Sequence, residues 1–176
     1  MSYKRKDETI MDELTLKVKY LSPDIPKLQI TTNGDWIDVY SAKSLFIKHH
    51  QHVLIPLGFA LQLPEEYEAH LAPRSSLFKK TGLIVTNSVG VIDESYCGDD
   101  DEWKLAVYCL FPVERNKHFV FVDGSKKICT GSSVMAGDKI AQFRIMKKMP
   151  PVRFEEVEHL ENPSRGGFGS TGGYSN

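Results

Sequence analysis

The sequence predicts an all-β fold. Three observations carry this: many short runs of alternating or β-branched apolar residues, turn residues between them at short intervals, and no stretch of sustained helical periodicity. Short strands with regular punctuation of this kind build a barrel or a sandwich. At 176 residues with 41% hydrophobic content, the chain suits one domain with a proper core. The formal net charge of −1 excludes a basic field for bulk nucleic acid, so any phosphate chemistry must rest on a few placed cations.

Three cysteines, Cys97, Cys109 and Cys129, form an odd set without a CxxC, which indicates neither a disulfide framework nor a structural zinc site. A reducing cytoplasm is the expected setting. The first residues are basic but lack an apolar signal-peptide core, and no run is long enough to cross a bilayer, so a soluble protein with no membrane partner is expected.

In chain order, residues 1–13 are charged and aperiodic, and a frayed end is expected. Leu14, Leu16, Val18 and Tyr20 alternate with polar residues, as a strand with one buried face does. Trp36 to Ala42 alternates again, with Trp36, Asp38 and Tyr40 on one face and Ile37, Val39 and Ser41 on the other. Asp38 is unusual there, because strands disfavour Asp. Val53 to Leu63 gives one or two further strands, punctuated by Pro56, Gly58 and Pro64. Glu65 to Ala72 then leads through Pro73 into Arg74, Ser75 and Ser76, and a short helix fits within Ser75 to Lys80 at most.

Leu83 to Thr86 and Val89 to Ile92 flank Asn87 and Ser88, the pattern of a tight β-hairpin. Asp93 follows, Tyr96 lies three residues on, and Gly90 and Gly98 allow close backbone approach. Such a segment suits a small planar ligand, and it equally suits a plain hairpin with Asp93 as a turn residue. Trp103 to Phe111 is apolar enough for the core and follows the acidic cluster Asp99 to Glu102. His118 to Val122 and Lys126 to Thr130 flank Asp123-Gly124 and read as an inserted hairpin near 115–133. Ile140 to Met146 and Val152 to Val157 complete the expected strands of a domain spanning 14–161. Residues 162–176 contain five glycines and two aromatics and are expected to form a flexible arm.

Five segments, DVYSA (Asp38 to Ala42), APRSSL (Ala72 to Leu77), NSVGVIDESYCG (Asn87 to Gly98), GDKIAQF (Gly137 to Phe143) and RGGFGSTG (Arg165 to Gly172), stand in this order. Each alone is a weak signal; together they resemble the five motifs of the trimeric dUTPases. The resemblance runs from about Leu14 to the C-terminus and leaves the inserted hairpin uncovered. It implies a distorted β-barrel of the jelly-roll type, a homotrimer with shared sites, dUTP as substrate and Mg²⁺ as cofactor.

By that resemblance Asp93 positions and activates the attacking water, and Arg74, Ser75 and Ser76 handle the phosphates. Asn87 with the backbone of Gly90, Val91 and Ile92 reads uracil, and Tyr96 packs on the deoxyribose. Gln142 contacts phosphate, and Asp38 holds Mg²⁺ through water, the ion itself being bound mostly by phosphate oxygens. Arg165 closes on the phosphates and Phe168 covers the base, with Gly169 and Ser170 in the same arm. Lys104 is a further candidate contact.

Two departures stand out. Arg165 is followed at once by Gly166, Gly167 and Phe168, where the family pattern spaces the arginine further away, and the inserted hairpin lengthens the interval between the third and fourth motifs. His49, His50 and His52 lack the spacing of a zinc site, since adjacent strand residues point apart. Two other functions compete with hydrolysis. One is a nucleotide-sensing regulator that binds a protein partner through the inserted hairpin. The other is a dCTP deaminase relative, which the GVID aspartate (Asp93) disfavours.

Overall fold

The computed structural model describes residues 13–30, 34–112, 117–122, 125–164 and 166, with backbone alone for 117–122 and 126–129. Twelve strands and one short helix follow in chain order: β1 (Lys17–Tyr20), β2 (Ile37–Tyr40), β3 (Leu45–Lys48), β4 (His52–Pro56), β5 (Phe59–Gln62), β6 (Tyr67–Pro73), α1 (Leu77–Thr81), β7 (Leu83–Val85), β8 (Gly90–Ile92), β9 (Lys104–Cys109), β10 (Lys117–Val122), β11 (Ser125–Val134) and β12 (Lys139–Lys147). All strand pairs are antiparallel. They form four small sheets in the orders β1-β5, β10-β11-β3, β2-β12-β6-β8 and β4-β9-β7. The all-β, jelly-roll expectation holds, and among the described residues the sheets do not close into one barrel.

The core lies between these sheets. Phe59, Trp103 and Phe143 come from β5, the entry to β9, and β12, and their rings meet at 5.1 to 6.4 Å between centroids. Tilted and edge-on ring pairs at this range are favoured over face-to-face stacks. Alternation places each strand's apolar side chains inward: Val39 is buried on β2, and Leu105, Val107 and Cys109 are buried on β9.

Gly82 ends α1 in the left-handed region with φ of 68°, its N–H donating to the Phe78 carbonyl at 2.7 Å. A Cβ there would fall 1.8 Å from the Phe111 carbonyl oxygen. Glycine is therefore required twice, by dihedral and by space.

Four sequence expectations need correction. The run Leu83 to Ile92 is not a hairpin: β7 pairs with β9 and β8 pairs with β6, in different sheets. Thr86 still donates to the Ala106 carbonyl at 3.0 Å, after which Asn87 and Ser88, the latter at φ of 58°, turn the chain onto Leu71. The first strand is shorter than expected, and its apolar face is half open, with Leu14 36% and Val18 38% exposed. Val152 to Val157 forms no strand: among the described residues it pairs with no neighbour, and Phe154 is 92% exposed. β3 was not anticipated.

The expected pairing of the inserted hairpin holds, β10 running antiparallel to β11 with Val122 opposite Ser125, while the Asp123-Gly124 turn itself lies outside the described residues. Among the described residues no helix is long and apolar enough to cross a membrane.

Candidate active site

The sheet β2-β12-β6-β8 positions both halves of the candidate site. In its register Gln142 of β12 lies between Asp38 of β2 and Ala72 of β6. Arg74 follows Pro73 at the end of β6, its N–H donating to the Ile140 carbonyl at 3.2 Å. Three motifs far apart in sequence thus meet at one end of one sheet.

At that end Asp38 is held by two cations. Arg74 Nε lies 3.0 Å from Oδ1, and Lys139 Nζ lies 2.9 Å from Oδ2. The carboxylate holds the Lys139 ammonium above its ordinary pKa, with the ring of Tyr40 5.7 Å away. The Gln142 amide lies 3.5 Å from the Pro73 carbonyl. Beside this cluster is a cavity of about 590 Å³ lined by Arg74, Ser76, Lys80, Asp138 and Lys139 among others. Three cations on one wall suit a polyanion. Ser75 turns away, into a neighbouring groove with Ser88.

The second cavity, of about 420 Å³, gathers Asn87, Gly90, Val91, Ile92, Asp93, Tyr96 and Lys104 on one surface. Every residue the sequence placed around the base, the sugar and the attacking water, apart from those of the C-terminal arm, lines this one cavity. A Cβ on Gly90 would stand 3.3 Å from Leu71 Cβ and 3.7 Å from the Asn87 amide nitrogen, so the backbone itself faces the space below that amide. The Tyr96 hydroxyl donates to the Glu102 carbonyl at 3.2 Å, which fixes the ring at the cavity's edge.

Asp93 is exposed at the exit of β8, where Oδ1 accepts the Ser95 N–H at 2.9 Å and also the Ser95 hydroxyl. These bonds hold its carboxyl below the usual carboxylate range.

The first cavity touches Arg74 just beyond β6, and the second touches Leu71 within it, on the side where β8 pairs. Ile92 is opposite Ala69, and Arg74 lies five residues beyond it, about 16 Å away at ~3.3 Å per strand residue. Within one chain Asp93 and Arg74 are thus separated along β6, and their side chains line different cavities. Arg165, Phe168, Gly169 and Ser170 lie outside the described residues.

Lys139, Lys80, Glu102 and Ser95 were not among the sequence candidates. Lys139 sits inside GDKIAQF and was within reach of closer reading, whereas nothing local to Lys80 marks it. Among the described residues no group of three His, Cys, Asp or Glu side chains is placed to hold a metal. Asp38 has both carboxylate oxygens paired with cations, an arrangement that fits a metal arriving on phosphate oxygens.

Comparison with known proteins converges with this geometry. The dUTPase family model matches residues 28–105. The SPbeta prophage-derived deoxyuridine 5'-triphosphate nucleotidohydrolase YosS of Bacillus subtilis is 45% identical over 90% of this chain and 99% of its own length. The deoxyuridine 5'-triphosphate nucleotidohydrolase of Clostridium tetani is 34% identical over 92% of this chain and 99% of its own length. Among solved structures, the Staphylococcus bacteriophage 80alpha dUTPase with dUPNHPP superposes with a TM-score of 0.69 at 25% identity, covering 90% of this chain and 98% of that one.

Proposed function

The chain belongs to the dUTPase family, and from that premise we propose that it hydrolyses dUTP to dUMP and pyrophosphate by attack of an Asp93-activated water on the α-phosphate. The observation that carries this reading is the second cavity, which unites a carboxylate, an amide, exposed backbone and an aromatic ring at one surface.

In the proposed reaction Asp93 accepts a proton from water as its oxygen bonds to the α-phosphorus, and the bond to the bridging oxygen breaks to release pyrophosphate. Asn87 and the backbone from Gly90 to Ile92 hold the uracil edge. Tyr96 packs against the deoxyribose where a 2′-hydroxyl would collide. Arg74, Ser76, Gln142 and Lys139 neutralise the phosphate chain, Arg74 through a fork suited to two phosphate oxygens. Ser75 has a weaker claim, since it faces the adjoining groove.

Mg²⁺ carried by the triphosphate would be held by phosphate oxygens and water, with Asp38 reaching it through water, and would supply further charge neutralisation. Arg165 and Phe168, with Gly169 and Ser170, are proposed to close over phosphate and base.

The separation of Asp93 from Arg74 supports sites shared between copies, with the carboxylate of one subunit meeting the cations of its neighbour in a homotrimer. The test is pyrophosphate release from dUTP, dTTP, dCTP and UTP at equal concentration with Mg²⁺. Preference for dUTP is expected; equal turnover of all four would sink the pocket assignment, and release of ammonia from dCTP with its triphosphate left intact would point to the deaminase relative.

A regulatory role is the second reading. β10 pairs only with β11 among the described residues, and no residue proposed for hydrolysis lies on it. The 80alpha protein is described among phage dUTPases that control transfer of virulence genes. Shortening the hairpin here should spare hydrolysis while abolishing any capture of a protein partner.

A further inference from the structure

We infer that Ser95 is a positioning residue for the general base: it engages the Asp93 carboxylate through Oδ1 alone and leaves Oδ2 as the acceptor for the proton of the attacking water. This rests on the hydrolytic reading above. Asp93 lies just beyond β8, where no ladder bond restrains it and a free carboxylate would rotate among several rotamers. General-base catalysis requires an oxygen held within hydrogen-bond reach of the proton it removes. Both the N–H of Ser95, at 2.9 Å, and its hydroxyl donate to Oδ1, and the Tyr96 N–H donates to the Asp93 carbonyl at 3.3 Å. The turn thus consumes one carboxylate oxygen completely.

A second anchor holds the backbone beside it. The Glu94 carboxylate accepts the Glu66 N–H at 3.0 Å and pairs with Lys148, whose own N–H donates to the Glu66 carbonyl at 2.8 Å. Asp93 is consequently clamped between the Ser95 turn and a strut reaching the end of β12. The hydroxyl is the separable part, because the Ser95 N–H alone suffices to close an Asx-turn. A serine serving only the turn would therefore be replaceable by alanine without effect on the carboxylate.

The charged and titratable groups facing Asp93 are Lys148 and Glu94 on the strut side, and Glu102, Lys104 and Tyr96 around the cavity. The Ser95 bonds are the foremost cause of the lowered Asp93 pKa, with Lys148 acting in the same direction. Loss of the hydroxyl should raise it.

The experiment compares the full-length chain with Ser95→Ala and Ser95→Thr, by the pH dependence of kcat on dUTP and by NMR titration of the Asp93 carboxyl carbon, assigned with Asp93→Asn. Ser95→Ala should lower kcat about 5- to 30-fold with KM within about twofold, move the acid limb to higher pH, and raise the carboxyl midpoint. Ser95→Thr, which keeps the hydroxyl, should restore all three. Wild-type kcat and an unmoved acid limb and midpoint in Ser95→Ala would overturn the inference. A midpoint that moves while the acid limb stays would overturn Asp93 as the base and the inference with it, leaving dUTP hydrolysis and the Ser95 hold on the carboxylate standing. The titration does not depend on turnover, so the two failures are distinguishable.

Discussion

Arg74 Nε lies 3.0 Å from Oδ1 of Asp38, joining two motifs that sit on different strands of one sheet. Lys139 takes the other carboxylate oxygen. The carboxylate thereby aims two cations along one wall of the phosphate-sized cavity and restrains both from rotating away.

Asp38→Asn should release this pair. The expected result is a fall in kcat/KM of about 100-fold, because each cation loses its orientation and the metal-bearing substrate loses a carboxylate. The melting temperature should move by less than about 3 °C, since partly exposed ion pairs contribute little to stability. Steady-state kinetics with parallel thermal melts measures both; a large loss of stability would recast Asp38 as structural.

Asp93→Asn keeps the side chain's shape and removes its basicity, so turnover should drop roughly 10²- to 10⁴-fold while nucleotide binding survives. The pH sign follows from the depressed carboxyl. Because the ionised form is the base, activity should persist as pH falls to about 5 and fail only through the acid range below the ordinary carboxylate value. Its contribution to stability has the same sense, present above the unfolded-state value and lost as pH falls through the folded one. A profile already failing near pH 7 would assign the acid limb to another group.

The legible parts of this chain were those whose signal is local. β2, β9 and β12 show alternation in their own residues, and six of the eleven residues lining the second cavity come from one contiguous stretch, Asn87 to Tyr96. Pairing partners were less legible. Leu83 to Ile92 has the composition of a hairpin, and nothing in it encodes that β9 and β6 outcompete self-pairing. β3 reads LFIK beside two histidines and shows little alternation, its strand state being set by pairing with β11. The Lys139–Asp38 contact joins residues 101 apart and becomes visible only once β2 and β12 are neighbours.

Gly82→Ala tests a position fixed by backbone. Its Cβ would lie 1.8 Å from the Phe111 carbonyl oxygen, and φ is 68°, so neither a rotamer change nor a small shift removes the conflict. A loss of roughly 3 kcal/mol or more is expected, from left-handed strain plus displacement of the β7–β9 edge. Chemical denaturation of the variant gives the figure; a change below about 1 kcal/mol would mean that the helix end repacks freely.

Trp103 is 1% exposed, and its indole nitrogen has no hydrogen-bond partner. Trp103→Ala should cost about 3–5 kcal/mol through lost burial and a cavity between Phe59 and Phe143. Trp103→Phe should cost far less, because it keeps an aromatic ring there and removes the unpaired donor. Urea denaturation reads both losses, and equal values would mean that burial of the ring contributes little at this position.

The last expectation concerns how one site is assembled from residues separated along a strand. With Ile92, the neighbour of Asp93, opposite Ala69 and Arg74 five residues further on, about 16 Å along β6, a site that uses both Asp93 and Arg74 is expected to take them from different subunits. Arg74→Ala and Asp93→Asn should each be nearly inactive alone. Unfolding and refolding a 1:1 mixture allows a site to receive Arg74 from an Asp93→Asn subunit and Asp93 from an Arg74→Ala neighbour. Random assortment places both intact residues at about one quarter of the sites, so about a quarter of wild-type turnover should return. Sites built within one subunit give no such recovery, because every subunit in the mixture carries a lesion. A wild-type chain refolded in the same way controls for the yield. Sedimentation of the mixture checks that its mass matches that of the parent assembly. A mixture that regains trimeric mass without activity would remove the shared-site arrangement and require a large rearrangement of β6 on nucleotide binding instead.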